Sequence, residues 1–169
     1  MKKEIITQRL RLSEIKEEDK AGLIRILSDE ELGKTYMIPD MTDGKTRDAI
    51  FERYRALSSS EDRFAYGVFL QNRLIGVIHE VEVKDKEIEL GYFIDPAKQG
   101  KGYATEALAA AISALGSKGI TVTAGAFEEN KASLRVMEKC GMERTGFTED
   151  IEYRGKTHKC VYMRSKRYI

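Results

Sequence analysis

Residues 94–112 read IDPAKQGKGYATEALAAAI, and the fold turns on how this stretch is read. Pro96 ends whatever precedes it. Ala104, Ala107, Leu108, Ala111, Ile112 and Leu115 then recur at helical spacing, which predicts an amphipathic helix with a narrow face of small residues. Small residues let a helix lie close to a sheet. Between the proline and the helix stand Gly100 and Gly102, two positions apart. Three readings compete for that pair. It could be a turn that opens a helix. It could be the start of a dinucleotide fingerprint, GxGxxG, but Thr105 occupies the third glycine position and the stretch does not follow its strand directly. It could be an anion nest, where glycines without Cβ let phosphate oxygens approach the unpaired N–H groups of a helix N-terminus. Gln99, Gly100, Lys101, Gly102, Tyr103 and Ala104 would form that nest, with Lys101 adding charge.

The flanking sequence sets the nest in a fold. Upstream, Phe64, Tyr66, Val68 and Leu70 alternate at period two, QNR reads as a hairpin turn, and 74–83 is the return strand. KDK makes a second turn, and Ile88, Leu90, Tyr92 and Ile94 line one face of a third strand. Downstream, 120–127 (ITVTAGAF) reads as a strand, so strand, helix and strand from 88 to 127 favour a parallel crossover. Asn130 is an N-cap for a second helix carrying Ser133, Val136, Met137 and Cys140 on one face, and Gly141 stops it. Two more strands, about 143–153 and 157–165, join at RGK. At the N-terminal end, EIITQRLRLSEI reads as one strand. EEDKAGLIRILSDE reads as a helix with Leu23, Ile24 and Leu27 on its face, and KTRDAIFERYRALSSS as another with Ile50, Phe51, Tyr54 and Leu57. GKTYMIPDMTDG between them has no periodicity and reads as a loop shaping a substrate site. The expected class is α+β with a mixed sheet, in one domain over 1–169.

Composition narrows the function. With a net charge of +1 and scattered basic residues, the chain lacks the footprint of direct nucleic-acid binding. No apolar run reaches the roughly 20 residues of a membrane span, so no membrane partner is expected. Cys140 and Cys160 lack zinc-site spacing and read as free thiols of a reducing, cytoplasmic setting. His79 and His158, the two histidines, fit no metal-ligand pattern, so no metal is expected.

The residues carry a resemblance. QGKGYA is similar to the Q/R-x-x-G-x-G/A signature of the GNAT acyltransferase superfamily, and NKASLRVMEKCGM resembles that family's next motif in the right order. TQRLRLSEI resembles the N-terminal strand of RimJ/RimL-type N-acetyltransferases. The resemblance implies a mostly antiparallel central sheet flanked by helices, with a splayed strand pair at the cofactor site. It implies acetyl-CoA as co-substrate, its pyrophosphate on the backbone of 99–104, its pantetheine arm along the backbone of Phe93 and Ile94, and a hydrogen bond from Asn130. It implies an amine acceptor, either a small molecule or a protein N-terminus, and leaves a homodimer open. The family's usual acid, a tyrosine seven positions after the motif asparagine, is Met137 here. Relatives of RimL type carry a serine three positions after that asparagine, which maps to Ser133. Glu89 is the candidate base and His79 the reserve. Against these stand structural roles: a first-turn serine, a wet strand face, a half-buried histidine. Tyr36, Met37 and Tyr54 are candidate walls of the acceptor site. The missing tyrosine motivates an alternative, a non-catalytic acyl-CoA-binding module.

Overall fold

The computed structural model describes residues 2–167. Eight strands are hydrogen-bonded in the order β1-β2-β3-β4-β5-β6-β8-β7, and five α-helices accompany them. The strands are β1 (Ile5–Ile6), β2 (Leu10–Ser13), β3 (Ala65–Leu70), β4 (Arg73–Lys84), β5 (Glu87–Ile94), β6 (Thr121–Phe127), β7 (Glu143–Tyr153) and β8 (Lys156–Arg164). The helices are α1 (Lys20–Leu27), α2 (Glu30–Thr35), α3 (Gly44–Ser59), α4 (Tyr103–Gly116) and α5 (Lys131–Lys139). This is the expected α+β class: β5 and β6 are parallel, whereas β1–β2, β2–β3, β3–β4, β6–β8 and β7–β8 are antiparallel. No described helix is long and apolar enough to cross a membrane. The chain groups into two compact units, Met1–His79 with Tyr92–Ala107, and Glu80–Gly91 with Leu108–Ile169.

In the first unit, the expected single N-terminal strand is two short ones that pair with each other, Ile5 opposite Leu12 and Ile6 opposite Arg11. Thr7 makes the turn: its hydroxyl accepts from the Leu10 N–H (3.0 Å) and its own N–H donates to the Leu10 carbonyl (2.9 Å). β3 and β4 meet through Gln71 and Asn72, both at positive φ (48° and 64°), the two-residue turn that matches strand twist. The helix from 17 to 30 is divided. Glu17–Asp19 is a 3-10 turn, α1 follows, and Asp29 caps a separate α2 by accepting from the Glu31 N–H. α1 buries Leu23, Ile26 and Leu27; Ile26 takes the place expected for Ile24, which packs at the core margin. On α3 the inner face is Phe51, Tyr54 and Ser58, so Ser58 is fully buried where Leu57 was expected. Its hydroxyl explains this. It accepts from the Ile15 N–H (2.9 Å) and donates to the Arg55 carbonyl (3.0 Å), satisfying a backbone donor in the core.

In the second unit, the parallel ladder pairs Glu87, Ile88 and Glu89 with Thr121, Val122 and Thr123. It goes no further, although Leu90 and Gly91 continue β5 and Ala124–Phe127 continue β6, which keeps its pairing with β8 along its other edge. This is the expected splay. β8 pairs β7 through a turn at Arg154 and Gly155, both at positive φ. Along α4, Leu108, Ala111, Ile112 and Leu115 are buried as the periodicity predicts. α5 buries Leu134 and Met137 and ends at Gly141, φ +77°.

Candidate active site

The signature loop lies wholly in the first unit, and its two ends are held differently. At its entry Asp95 is 3% exposed. Its N–H donates to the Ile75 carbonyl (2.7 Å), and Oδ1 accepts from the Ala97 N–H (3.0 Å), capping the 3-10 turn Pro96–Lys98. Oδ2 accepts from Arg25 Nη2 (2.5 Å). Burial works to raise this carboxyl, but the Arg25 and Ala97 hydrogen bonds outweigh it and hold Asp95 below the ordinary range. Gln99 is turned onto the loop itself. Its side-chain amide donates to the Ile94 carbonyl (3.0 Å) and its N–H to the Pro96 carbonyl (3.3 Å).

The glycine pair follows. Gly100 and Gly102 have φ of +75° and +82°, a region that side chains with Cβ rarely adopt. A Cβ on Gly100 would meet open space, so Gly100 is there for conformation. A Cβ on Gly102 would come within 3.3 Å of Arg9 Nη2, so conformation and proximity both select glycine. The Gly102 carbonyl accepts from the Glu106 N–H (3.0 Å), the first bond of α4. The opening turn of the helix thus adjoins two glycines that bring no Cβ of their own to its N–H groups. At the exit, Glu106 lies below the ordinary carboxylate range: burial raises it, and hydrogen bonds from Thr7 and from the Arg9 N–H and guanidinium more than offset that.

Before the loop, the Phe93 carbonyl packs where a Cβ on Gly76 would sit, at 2.2 Å, so only glycine fits at 76. The Phe93 ring meets Tyr36 edge-on (4.9 Å between centroids) and Tyr54 (6.0 Å). His79 joins them, with Nε2 2.8 Å from the Tyr36 hydroxyl and its ring 5.3 Å from Tyr54. Burial pushes both tyrosines up. His79 is 6% exposed, so the reserve base is a buried, hydrogen-bonded core residue of this unit. Met37 is exposed.

The remaining candidates lie in the second unit. Asn130 Oδ1 accepts from the Ser133 N–H (3.2 Å), so one contact joins the two motif residues and caps α5. Glu89 stands at the last rung of the parallel ladder. Its carboxyl is pushed above the ordinary range by burial first, then by the negative charges of Glu82 and Glu149. Glu149 accepts from the Tyr162 hydroxyl (2.5 Å). Tyr162 is itself pushed far up, by burial and then by Glu149. Among the described residues, no group of three or more His, Cys, Asp or Glu is arranged to hold a metal.

Comparison with known proteins decides the family. The model of the acetyltransferase (GNAT) domain matches residues 9–143. The chain belongs to the GNAT acetyltransferase family. It is 26% identical over 157 residues to a protein of Bacillus subtilis (strain 168) described as the uncharacterized N-acetyltransferase YoaA, covering 89% of each chain. Its fold is that of RimL, a ribosomal-protein alpha-N-acetyltransferase solved with coenzyme A (TM-score 0.81, 20% identity, 96% of this chain and 97% of that one). The microcin self-immunity acetyltransferase MccE, solved with acetyl-CoA and AMP, shares it too (TM-score 0.82, 17% identity, 94% and 93%). As a GNAT acetyltransferase the chain is an enzyme, not a bare binding module.

The sequence foretold one departure of this GNAT chain and hid another feature. Met137, at the family's tyrosine position, is fully buried, so that position presents core rather than an acid. Tyr162 and Glu149 were missed altogether. The signal for them was Gly125, mid-strand in β6 opposite Tyr162: a Cβ there would lie 2.8 Å from the Tyr162 ring. A glycine inside a strand marks something lying across it, and here that is the tyrosine.

Proposed function

We propose that this chain transfers an acetyl group from acetyl-CoA to a primary amine by direct attack in a ternary complex. The observation that carries the reading is the loop 99–104. In a GNAT chain it opens an α-helix with both its glycines at positive φ, so neither glycine puts a Cβ between the loop and an approaching anion. The coenzyme A in RimL and the acetyl-CoA in MccE support the same co-substrate here. In this reading the N–H groups of Gly100 to Ala104 hold the diphosphate and Lys101 adds charge. Gln99 shapes the loop from within. The backbone of Phe93 and Ile94 takes the pantetheine arm, and Asn130 adds a hydrogen bond.

The bound co-substrate supplies an activated acetyl thioester, and the chain's residues manage the protons. A primary amine, with a pKa of roughly 8 to 10.4, arrives mostly protonated near neutral pH. Glu89 takes that proton, directly or through a water. A carboxyl raised by burial and neighbouring carboxylates matches this task better than an ordinary one. The freed lone pair forms the new C–N bond. A backbone N–H at the splayed end of β5 receives the negative charge that develops on the carbonyl oxygen. The C–S bond breaks as Ser133 passes a proton to the departing sulfur, and the proton that the acylated nitrogen sheds restores the serine hydroxyl, directly or through a water. The acceptor is a protein N-terminus or a small amine; RimL, an alpha-N-protein acetyltransferase, favours screening N-terminal peptides first.

The test is a thermal-shift titration with acetyl-CoA, followed by release of free thiol over a panel of N-terminal peptides, small amines and aminoglycosides. Tm should rise with acetyl-CoA concentration, as for any ligand selective for the folded state. At least one acceptor class should release thiol in step with acetylated product. A flat Tm, or binding with no acceptor turned over anywhere in the panel, overturns the reading.

A further inference from the structure

We infer that Arg9 is a positioning residue for the diphosphate loop, an inference that rests on the reading of that loop given above. Arg9 sits in the turn between β1 and β2, 92 positions before Lys101 in sequence. Its side chain nevertheless reaches across the loop's exit in four ways, and its main chain adds a fifth contact. Nε donates to Glu106 Oε2 (2.7 Å). The Arg9 N–H donates to Glu106 Oε1 (2.8 Å). Nη1 donates to the Lys101 carbonyl (2.9 Å), and the guanidinium carbon lies 4.5 Å from the centre of the Tyr103 ring. Nη2 stands where a Cβ of Gly102 would crowd it. Thr7, in the same turn, donates to Glu106 Oε1 (2.6 Å).

The consequence for the loop is specific. The Lys101 carbonyl points to Arg9, which fixes the peptide between Lys101 and Gly102, so the N–H of Gly102 is directed to the opposite side. The same guanidinium ties Glu106, one turn into α4, to the N-terminal turn. The loop therefore holds its left-handed glycines in a set arrangement before any ligand arrives, and affinity lost to loop ordering is reduced. A lysine would keep the charge but not the fork that serves Glu106 and the Lys101 carbonyl together. The N-terminal motif TQRLRL thus has a role in co-substrate binding that neither strand pairing nor core packing accounts for.

The experiment compares the wild type with Arg9→Gln and Arg9→Lys. Binding of acetyl-CoA, and of acetyl-pantetheine, which lacks the diphosphate and nucleotide, is measured by calorimetry alongside the ligand-free Tm. Arg9→Gln should weaken acetyl-CoA by about ten-fold, the scale of a lost charge-assisted hydrogen bond, and leave acetyl-pantetheine unchanged. Arg9→Lys should recover only a small part of the loss. Equal weakening toward both ligands would mean a general structural role and overturn the inference. So would unchanged acetyl-CoA binding in Arg9→Gln, or full recovery in Arg9→Lys. If the wild type itself does not bind acetyl-CoA, the reading of the loop falls and takes this inference with it. If the wild type binds and the variants match it, this inference falls alone.

Discussion

Glu106 and Glu89 are both carboxylates drawn partly out of water, and their surroundings treat them in opposite ways. Glu106, in the first unit, is met by Thr7 and twice by Arg9, and is held below the ordinary range although burial pulls it upward. Glu89, in the second unit, is pushed above that range by burial, with Glu82 and Glu149 reinforcing the shift and Lys84 opposing it. Asp95 behaves like Glu106, through Arg25. A carboxylate paired with a guanidinium stays charged at any working pH and serves as a fixed strut. One left among its own kind keeps its proton to a higher pH than an ordinary carboxyl. The loop proposed to bind acetyl-CoA is flanked by the first sort. The strand expected to do the chemistry carries the second.

The sharpest way to break that contrast is Glu89→Gln. Loss of a general base typically costs about a hundred- to ten-thousand-fold in rate, so kcat should fall into that range while acetyl-CoA affinity stays put. The pH profile carries the sign. Glu89 must be deprotonated to accept the proton, so kcat/KM should fall as pH drops through a value above the ordinary carboxylate range. Glu149→Gln removes one of the charges that raise Glu89 and should move that limb to lower pH. A limb that stays where it was would mean that Glu89 is not the group being titrated. In Glu89→Gln the limb itself should vanish.

Next in size is the response of the loop to a side chain. Gly102→Val should abolish the acetyl-CoA-dependent rise in Tm, because φ of +82° is strained for any residue with a Cβ and the new group would press on Arg9. Gly100→Ala bears a similar backbone cost, about 1–2 kcal/mol, but its Cβ points into open space. It should therefore lower the ligand-free Tm and keep a reduced shift with acetyl-CoA. Equal behaviour of the two variants would show that backbone strain alone, and not the space beside Gly102, governs binding.

The loop was legible in the sequence because its physics is local. Positive φ demands glycine, a helix start demands a cap, and a small-residue stripe demands a nearby sheet, so 94–112 announced itself and Asn130 with it. What brings a distant residue to such a segment leaves no local mark. Arg9 reaches Glu106 and Lys101 only because β1 and β2 form a hairpin, and the sequence suggested one strand there, since Thr7 could as well have been a strand residue. Ser58 was hidden for a related reason. A buried serine satisfying the Ile15 N–H is indistinguishable, in periodicity, from an exposed one beside a buried leucine. Glu149 and Tyr162 lie on the C-terminal strands, where β7 is exposed over most of its length and gives no inward pattern to read. Gly125 was the one clue, and its meaning depends on which residue β8 sets opposite it.

The smallest expected effect concerns the proton that ends the reaction. A thiol with a pKa near 8.5 leaves readily as the thiolate, so an acid on the sulfur has little barrier to remove. Ser133→Ala should then slow turnover by about ten-fold at most, well short of the loss in Glu89→Gln. The Asn130 cap uses the Ser133 backbone N–H and so survives this substitution. Asn130→Ala should do the reverse. It removes the cap at a cost of about 1 kcal/mol and weakens acetyl-CoA binding, with kcat at saturation little affected. Measuring kcat, KM and Tm for both variants separates the two roles that meet at this one hydrogen bond. Should Ser133→Ala turn over like the wild type, the donor to sulfur must be sought elsewhere. Tyr162→Phe is then the variant to make, since burial and Glu149 keep that phenol protonated throughout the working range.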